Sequence, residues 1–253
     1  MERCLTSRCS GLLRAARSAA AERHVRRYSN PMRSPLGLTV LAILAAISAP
    51  FLVVMPRYIV IRDEVLSVQP IADPLPLYAR AVLAAEAPQM LERSGPRVLL
   101  ETYGPIFSSD PKPQTKGASI SYQLTGTLDP NYPTRTVVAK LALYLMVEAT
   151  LPRRHLFSKY LESVYLGATA NGPIHGIAEA SKLLLSKPKE QMTLSEAALL
   201  AGLIKSPAAF SPSRHPDHAK VRRDWVLKRM LDTGQIENAE FKRAVNEPLP
   251  GNA

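Results

Sequence analysis

TLSEAALLAGLIKSPAAFSPSRHPDHAKVRRDWVLKRMLDTGQI, Thr193 to Ile236, is the stretch from which the fold can be read. Thr193 stands three positions before Glu196, the spacing of a capping box, in which a hydroxyl and a carboxylate satisfy the open N–H groups of a helix start. The Leu and Ala rows at 197 to 204 then read as core, and a helix is expected over Leu194 to Lys205. After a Pro- and Ser-rich break, apolar spacing of three and four resumes from Asp217 to Thr233. Gly234 follows as a C-terminal stop, since glycine takes the left-handed conformation that ends helices. Within this second helix Trp225 reads as core, and Lys220, Arg222, Arg223, Lys228 and Arg229 as a charged outer face. His215 and His218 are spaced like metal ligands, but Pro216 and Asp217 beside them mark a helix start instead.

The same period extends upstream. Helices are expected over Thr136 to Leu151, Leu156 to Leu166 and Ile174 to Leu185, and over Tyr78 to Arg93 with Val82, Leu83, Ala85 and Met90 in one buried stripe. Residues 95 to 135 are rich in Gly, Pro, Ser and Thr and read as loops around short helices, the most mobile part. Arg153, Arg154 and His155 read as a solvated helix start. Arg57 to Pro76 holds the β-branched run YIVIRDEV and the Pro-rich IADPLPL, a short extended segment or a linker. No internal repeat is evident. The expected fold class is mainly α, one unit of about 190 residues.

Charge and hydropathy divide the rest of the chain. Of 253 residues 46% are hydrophobic, enough for a sizeable core. The formal charge is +11, but residues 1 to 34 alone hold eight Arg against two Glu, leaving only a mild excess beyond Arg57. Basic residues do not cluster with base-stacking aromatics, so nucleic acid is not the expected partner. Leu36 to Met55, LGLTVLAILAAISAPFLVVM, is twenty residues without a charge. That length matches the hydrocarbon thickness of a bilayer, and the Arg-rich flank places the N-terminus in the cytoplasm. A cleaved signal peptide usually has a shorter apolar run, so a retained anchor is the preferred reading. The tail also has the Arg, Ser and Ala bias of a mitochondrial transit peptide, and Met32 offers an alternative start. Cys4 and Cys9 both lie in the tail, without His or Cys partners for a metal site.

Several segments carry a resemblance. Leu194 to Ala201, Pro207 to Pro212 and Arg222 to Gly234 resemble, in order, the L-T-x-x-E-A-A-L-L-A helix, the P-x-x-[FY]-x-P segment and the R-x-x-x-V-L…M-x-x-x-G helix of the family 51 glycosyltransferases, the peptidoglycan transglycosylases. Upstream, Tyr160, Leu161, Gly167, Gly176, Ile177 and Ala180 agree with I-L-E-x-Y-L-N…G…G-[IV]-x-A-A. EATLPRRH resembles the E-A-x-x-P-K region of the single-domain, membrane-anchored members. The resemblance runs from about Leu77 to Val245 and implies a lysozyme-like helical glycosyltransferase domain. The expected organisation is a basic tail at 1–34, a transmembrane helix at 36–55, a juxtamembrane linker at 57–76 and the domain at 77–245. A following transpeptidase domain is not expected.

The site residues come from the same resemblance. AVLAAEAPQMLERSG aligns with E-D-x-x-F-x-x-H-x-G and puts Glu86 on the catalytic Glu, with Ala87, Met90 and Arg93 in place of Asp, Phe and His; Gly95 is kept. GASISYQL resembles G-x-S-T-I-x-x-Q, one residue shorter, and keeps Gly117, Ser119, Ile120 and Gln123. The R-K-x-x-E segment falls near TRTVVAKLALYL, where an ungapped register puts Lys140, and a lysine-matched register Leu143, at the second Glu.

Family members join a lipid-pyrophosphate-linked glycan to a sugar hydroxyl of another lipid-linked unit. A sugar hydroxyl is a poor nucleophile, so a carboxylate must take its proton, and Glu86 is the expected base. The pyrophosphate leaving group calls for cationic and hydrogen-bonding partners, expected at Lys116, Gly117, Ser119, Gln123, Arg135 and Lys140. On purely local grounds a solvated helix position is the preferred reading of Glu86, and Ser119 and Gln123 read equally as loop or capping groups. The implied partners are a lipid-linked disaccharide precursor (lipid II), the membrane and other cell-wall synthesis proteins, at the outer face of a bacterial inner membrane. No cofactor is implied, and a divalent metal is not indicated. A relative that binds lipid-linked glycan or a cell-wall synthesis partner without turnover is the alternative. The topology is directly checkable: a reporter fused after Ala253 should be active only outside the cytoplasm, and cytoplasmic activity would refute the orientation.

Overall fold

A computed structural model describes residues 35–92, 119–128 and 137–250. The tail at 1–34 and the expectations at Arg93, Gly95, Lys116, Gly117 and Arg135 lie outside the described residues, as does most of the segment read as loops. The chain divides into two compact units, Met1–Val53 and Val54–Ala253. Helix α1, Pro35–Leu66, contributes to both.

In the first unit α1 exposes Leu38, Val40, Leu41, Ile43, Leu44, Leu52 and Val53. The described helix is long and apolar enough to cross a membrane, by length and composition. In the second unit α1 runs on through Leu66, where an extended segment or linker was expected from Arg57. Val54, Ile61 and Val65 are almost wholly buried, and Tyr58 Oη lies 2.7 Å from Thr150 Oγ1. Positions 54, 58, 61 and 65 step by four, three and four, so they share one helical face. Burying that face outweighs the few tenths of a kcal/mol by which β-branched residues disfavour a helix.

The second unit is mainly α. Its further helices are α2 (Leu77–Glu86), α3 (Ser119–Leu128), α4 (Val137–Thr150) and α5 (Arg153–Ser163), then α6 (Ile177–Leu185), α7 (Leu194–Leu203), α8 (Pro216–Asp232) and α9 (Asn238–Asn246). Helix α2 is shorter than expected because Pro88 disfavours helical geometry at Ala87, which has φ −155°. A two-stranded antiparallel hairpin, β1 (Tyr165–Thr169) and β2 (Gly172–His175), replaces the expected helix ends at Leu166 and Ile174. The hairpin is pinned to the end of α5: Gly176 N donates to Val164 O at 2.8 Å. Gly176 has φ +78°, and a Cβ there would sit 2.4 Å from Glu162 O, so only glycine fits this approach. Arg153 and Arg154 do start a helix, but Arg153 is largely buried and both are engaged rather than simply solvated. Arg153 pairs with the buried Glu148, and Arg154 donates to Ile71 O at 3.0 Å and to Asp73 at 2.9 Å, tying the link before α2 to α5.

Helix α7 is the centre of the unit. Every residue from Ala197 to Leu203 is buried, and α7 packs against both α2 and α8. The expected capping box forms, with Glu196 N on Thr193 Oγ1 and Thr193 N on Glu196 Oε2. Gly234 closes α8 as expected: Gly234 N meets Leu231 O and Gln235 N meets Met230 O, the paired bonds of a Schellman stop.

The rotation of α8 differs from the sequence reading. Ala219, Arg223, Val226, Leu227 and Met230 face inward, while Trp225, expected in the core, is 36% exposed. Arg223, expected on a charged outer face, is 1% exposed. Successive helical residues are about 100° apart, so seating Val226, Leu227 and Met230 inward brings 223 with them and turns 225 away. The buried guanidinium is fully engaged: it donates to Ser195 Oγ at 3.1 Å, Glu247 O at 2.7 Å and Val245 O at 2.9 Å, and pairs with Asp224 at 2.8 Å. Removing it strands those acceptors. Arg223→Ala should therefore cost about 3 kcal/mol or more in urea unfolding, whereas Lys228→Ala, which removes an exposed pair with Asp232, should cost under about 0.5 kcal/mol.

Candidate active site

Helix α2 is apolar and buried over nearly its whole length, and Glu86 is its last residue. That is an unfavourable place for a carboxylate. The unpaired carbonyls of a helix C-terminus carry partial negative charge, and the Glu86 side chain is only 11% exposed, so burial also disfavours its ionised form. Two arginines of α8 answer both problems. Arg222 Nη2 lies 3.9 Å from Glu86 Oε1, and Arg229 Nε donates to Ala84 O, a carbonyl of the last turn of α2, at 3.3 Å.

Trp225 stands between these arginines on the same face of α8. Its ring lies 4.1 Å from the Arg222 guanidinium carbon and 5.6 Å from that of Arg229. Phe210 adds a ring 5.7 Å from Arg222, and Arg222 Nε donates to Gly202 O at 3.4 Å. Gly202 leaves room for this: a Cβ there would lie 3.0 Å from Arg222 Cγ. Burial pushes the Arg222 guanidinium below its usual range, and the Glu86 charge pulls it back up.

Glu86 also acts electrostatically on α5, which packs against α3. Tyr160, buried in α5, donates from its phenol to Gln123 Oε1 at 3.0 Å. Burial holds that phenol well above its ordinary range, and the Glu86 charge adds to the effect. Two residues singled out by sequence, Glu86 and Gln123, thus border one hydroxyl. Lys140 is exposed on α4, which packs on α3. Ser119 opens α3. Among the described residues no three His, Cys, Asp or Glu side chains gather as a cation site, and His215 and His218 stack with ring centroids 5.7 Å apart.

Sequence reasoning missed Arg222, Trp225, Arg229 and Tyr160 as site residues. Their signal was present as Arg-x-x-Trp-x-x-x-Arg, a spacing of three and four that places all three α8 side chains on one face. On α4 the only acidic residue is Glu148. It is 2% exposed and engaged by Arg153, so it does not stand in for a second site carboxylate.

Residues 61–231 match the family model described as Transglycosylase, and the chain belongs to that family. It is 37% identical over 136 residues to penicillin-binding protein 1A of Aquifex aeolicus, a match covering 53% of this chain and 18% of that one. It is 33% identical over 118 residues to penicillin-binding protein 1B of Vibrio cholerae, covering 46% and 15%. With penicillin-binding protein 1A of Escherichia coli the identity is 35% over 123 residues, covering 47% and 14%. The matched part thus spans less than a fifth of the length of these relatives.

The Tyr160 environment has a consequence for stability. Its folded value lies above the ordinary phenol value near 10. As pH rises past 10, the unfolded state releases this proton first, so the contribution is complete below that pH and is lost above it. Unfolding midpoints of wild type should fall more steeply above pH 10 than those of Tyr160→Phe; equal slopes would show that the phenol titrates normally.

Proposed function

We propose that this transglycosylase-family chain is a peptidoglycan glycosyltransferase, with Glu86 as general base. The carrying observation is the placement of Glu86: the residue matching the family's catalytic carboxylate is shielded at a helix end beside a fixed guanidinium. Such surroundings suit proton abstraction, because a base must stay ionised yet be dry enough to act strongly on a hydroxyl. Glu86 takes the proton of the acceptor sugar hydroxyl as its oxygen forms a bond to the donor's anomeric carbon. The bond to pyrophosphate breaks, and the lipid pyrophosphate leaves with the electron pair.

The substrate in this reading is a lipid-linked disaccharide-peptide (lipid II). Lys116, Gly117, Ser119, Gln123, Arg135 and Lys140 supply donors and positive charge for its pyrophosphate. The apolar, exposed stretch of α1 in the first unit supports anchorage in a bilayer, and the Arg-rich flank supports placement of the second unit at the outer face of the inner membrane. Anchorage would raise the effective concentration of a substrate that never leaves the lipid phase.

One observation favours a second reading. Helix α4 offers Lys140 or Leu143 where the family pattern has its second Glu, and Glu148 is buried in its own ion pair. A chain lacking that carboxylate could hold lipid-linked glycan or a cell-wall synthesis partner without polymerising it. Polymerisation of purified lipid-linked disaccharide precursor separates the two. For an enzyme, Glu86→Gln should lower the rate on the order of 100-fold while precursor binding persists, and Lys140→Ala should weaken that binding. If wild type and Glu86→Gln bind precursor equally and neither makes polymer, the base assignment fails and the binding reading stands.

A further inference from the structure

The geometry points to Arg222 as the positioning residue that keeps Glu86 ionised and aimed, with Trp225 and Gly202 as the clamp that holds Arg222 there. The inference rests on the reading of Glu86 as general base. Burial to 11% exposure and the negative end of a helix both disfavour a charged carboxylate, and a cation beside it opposes them. A neutral carboxyl cannot accept a proton. At 3.9 Å, Arg222 is within ion-pair range of Oε1 but beyond hydrogen-bond length. It therefore supplies attraction without itself hydrogen-bonding that oxygen.

The clamp makes the distance a property of the fold. The Arg222 stem passes over Gly202, where any side chain would crowd it. Its head is bonded to Gly202 O and faces the Trp225 ring at 4.1 Å, with Phe210 more distant. Arg222 is thus restrained from its stem to its head, and Arg223, one position on and about 100° around the helix, locks the rotation of α8. A lysine would keep the charge but lose the planar stack.

The helices packed about α2 and Tyr160 bring other charged and titratable groups, each with its own partner. Helix α8 also brings Arg229, which is turned to Ala84 O. Helix α5 brings the Tyr160 phenol, bonded to Gln123. Helix α7 carries Glu196, which is taken by Lys187 and the Thr193 backbone. Arg222 is the cation whose distance to the Glu86 carboxylate is shortest in this set.

The test measures Glu86 ionisation separately from turnover. In the full chain in detergent micelles with carboxyl-labelled glutamate, the Glu86 resonance is assigned by its loss in Glu86→Gln and titrated by NMR. Arg222→Gln should raise the Glu86 midpoint by about one pH unit, Arg222→Lys should recover most of that shift, and Trp225→Leu should move it the same way by less. The acid limb of kcat/KM for polymerisation should move by the same amount, with KM for the precursor little changed. An unmoved Glu86 midpoint in Arg222→Gln overturns the inference whatever the activity does. A rise in KM with no change in the acid limb also overturns it, since Arg222 would then bind substrate. If the midpoint shifts but wild type makes no polymer under any condition, the enzyme reading fails and the positioning role fails with it, although the ion pair itself is real.

Discussion

The buried guanidinium of Arg223 is the constraint on which the second unit depends. Taking a charge out of water is tolerable only where every donor finds an acceptor. Here Ser195 at the start of α7, the carbonyls of Val245 and Glu247 at the end of α9, and the adjacent Asp224 provide them. Helix α8 therefore has one rotation at which Arg223 is satisfied, and that rotation also seats Val226, Leu227 and Met230 in the core. The face carrying Arg222, Trp225 and Arg229 is aimed as a consequence. It meets the C-terminal end of α2, where the helix carbonyls and Glu86 concentrate negative charge.

Opposed electrostatics then define the site. Burial and the helix end push Glu86 toward neutrality, and the arginines of α8 push it toward charge. The same field reaches Tyr160, whose phenol is kept protonated by burial and by Glu86. Packing makes the arrangement stiff. Helix α7, lined with Ala197, Ala198, Ala201 and Gly202, lets α2 and α8 approach closely, and in such a core a displaced side chain has nowhere to relax.

Elsewhere the chain departs from the pattern of its family by exchanging charge. On α4 the pattern's carboxylate falls at Lys140 or Leu143, depending on register, and Glu148 is sequestered with Arg153 at the junction with α5. On the proposed reading, catalysis leans on one carboxylate, and added positive charge serves the pyrophosphate. The Glu148–Arg153 pair instead has a structural meaning. It fixes the α4–α5 corner, while Arg154 fixes the link before α2, so this basic stretch works as a joint.

What can be read along the chain is what short-range physics decides. The Thr193–Glu196 capping box, the Gly234 stop and the apolar period of α7 each depend on residues within one or two turns of each other, and each forms where the residues say. The rotation of α8 was not legible: Arg222, Arg223 and Trp225 are within three positions of one another, and which of them turns inward is decided by Ser195, Val245 and Glu247, more than twenty residues away in the chain. The continuation of α1 through Leu66 and the hairpin in place of helix ends have the same cause. A β-branched run or a glycine leaves more than one local conformation open within a kcal/mol or so, and burial of Val54, Ile61 and Val65, or the close approach of Gly176 to Glu162, selects one. The sequence by itself determined the helical class and the helix ends set by caps; only the tertiary structure decided which arginines meet Glu86, because a helix shows its neighbours a face, and faces are chosen by packing.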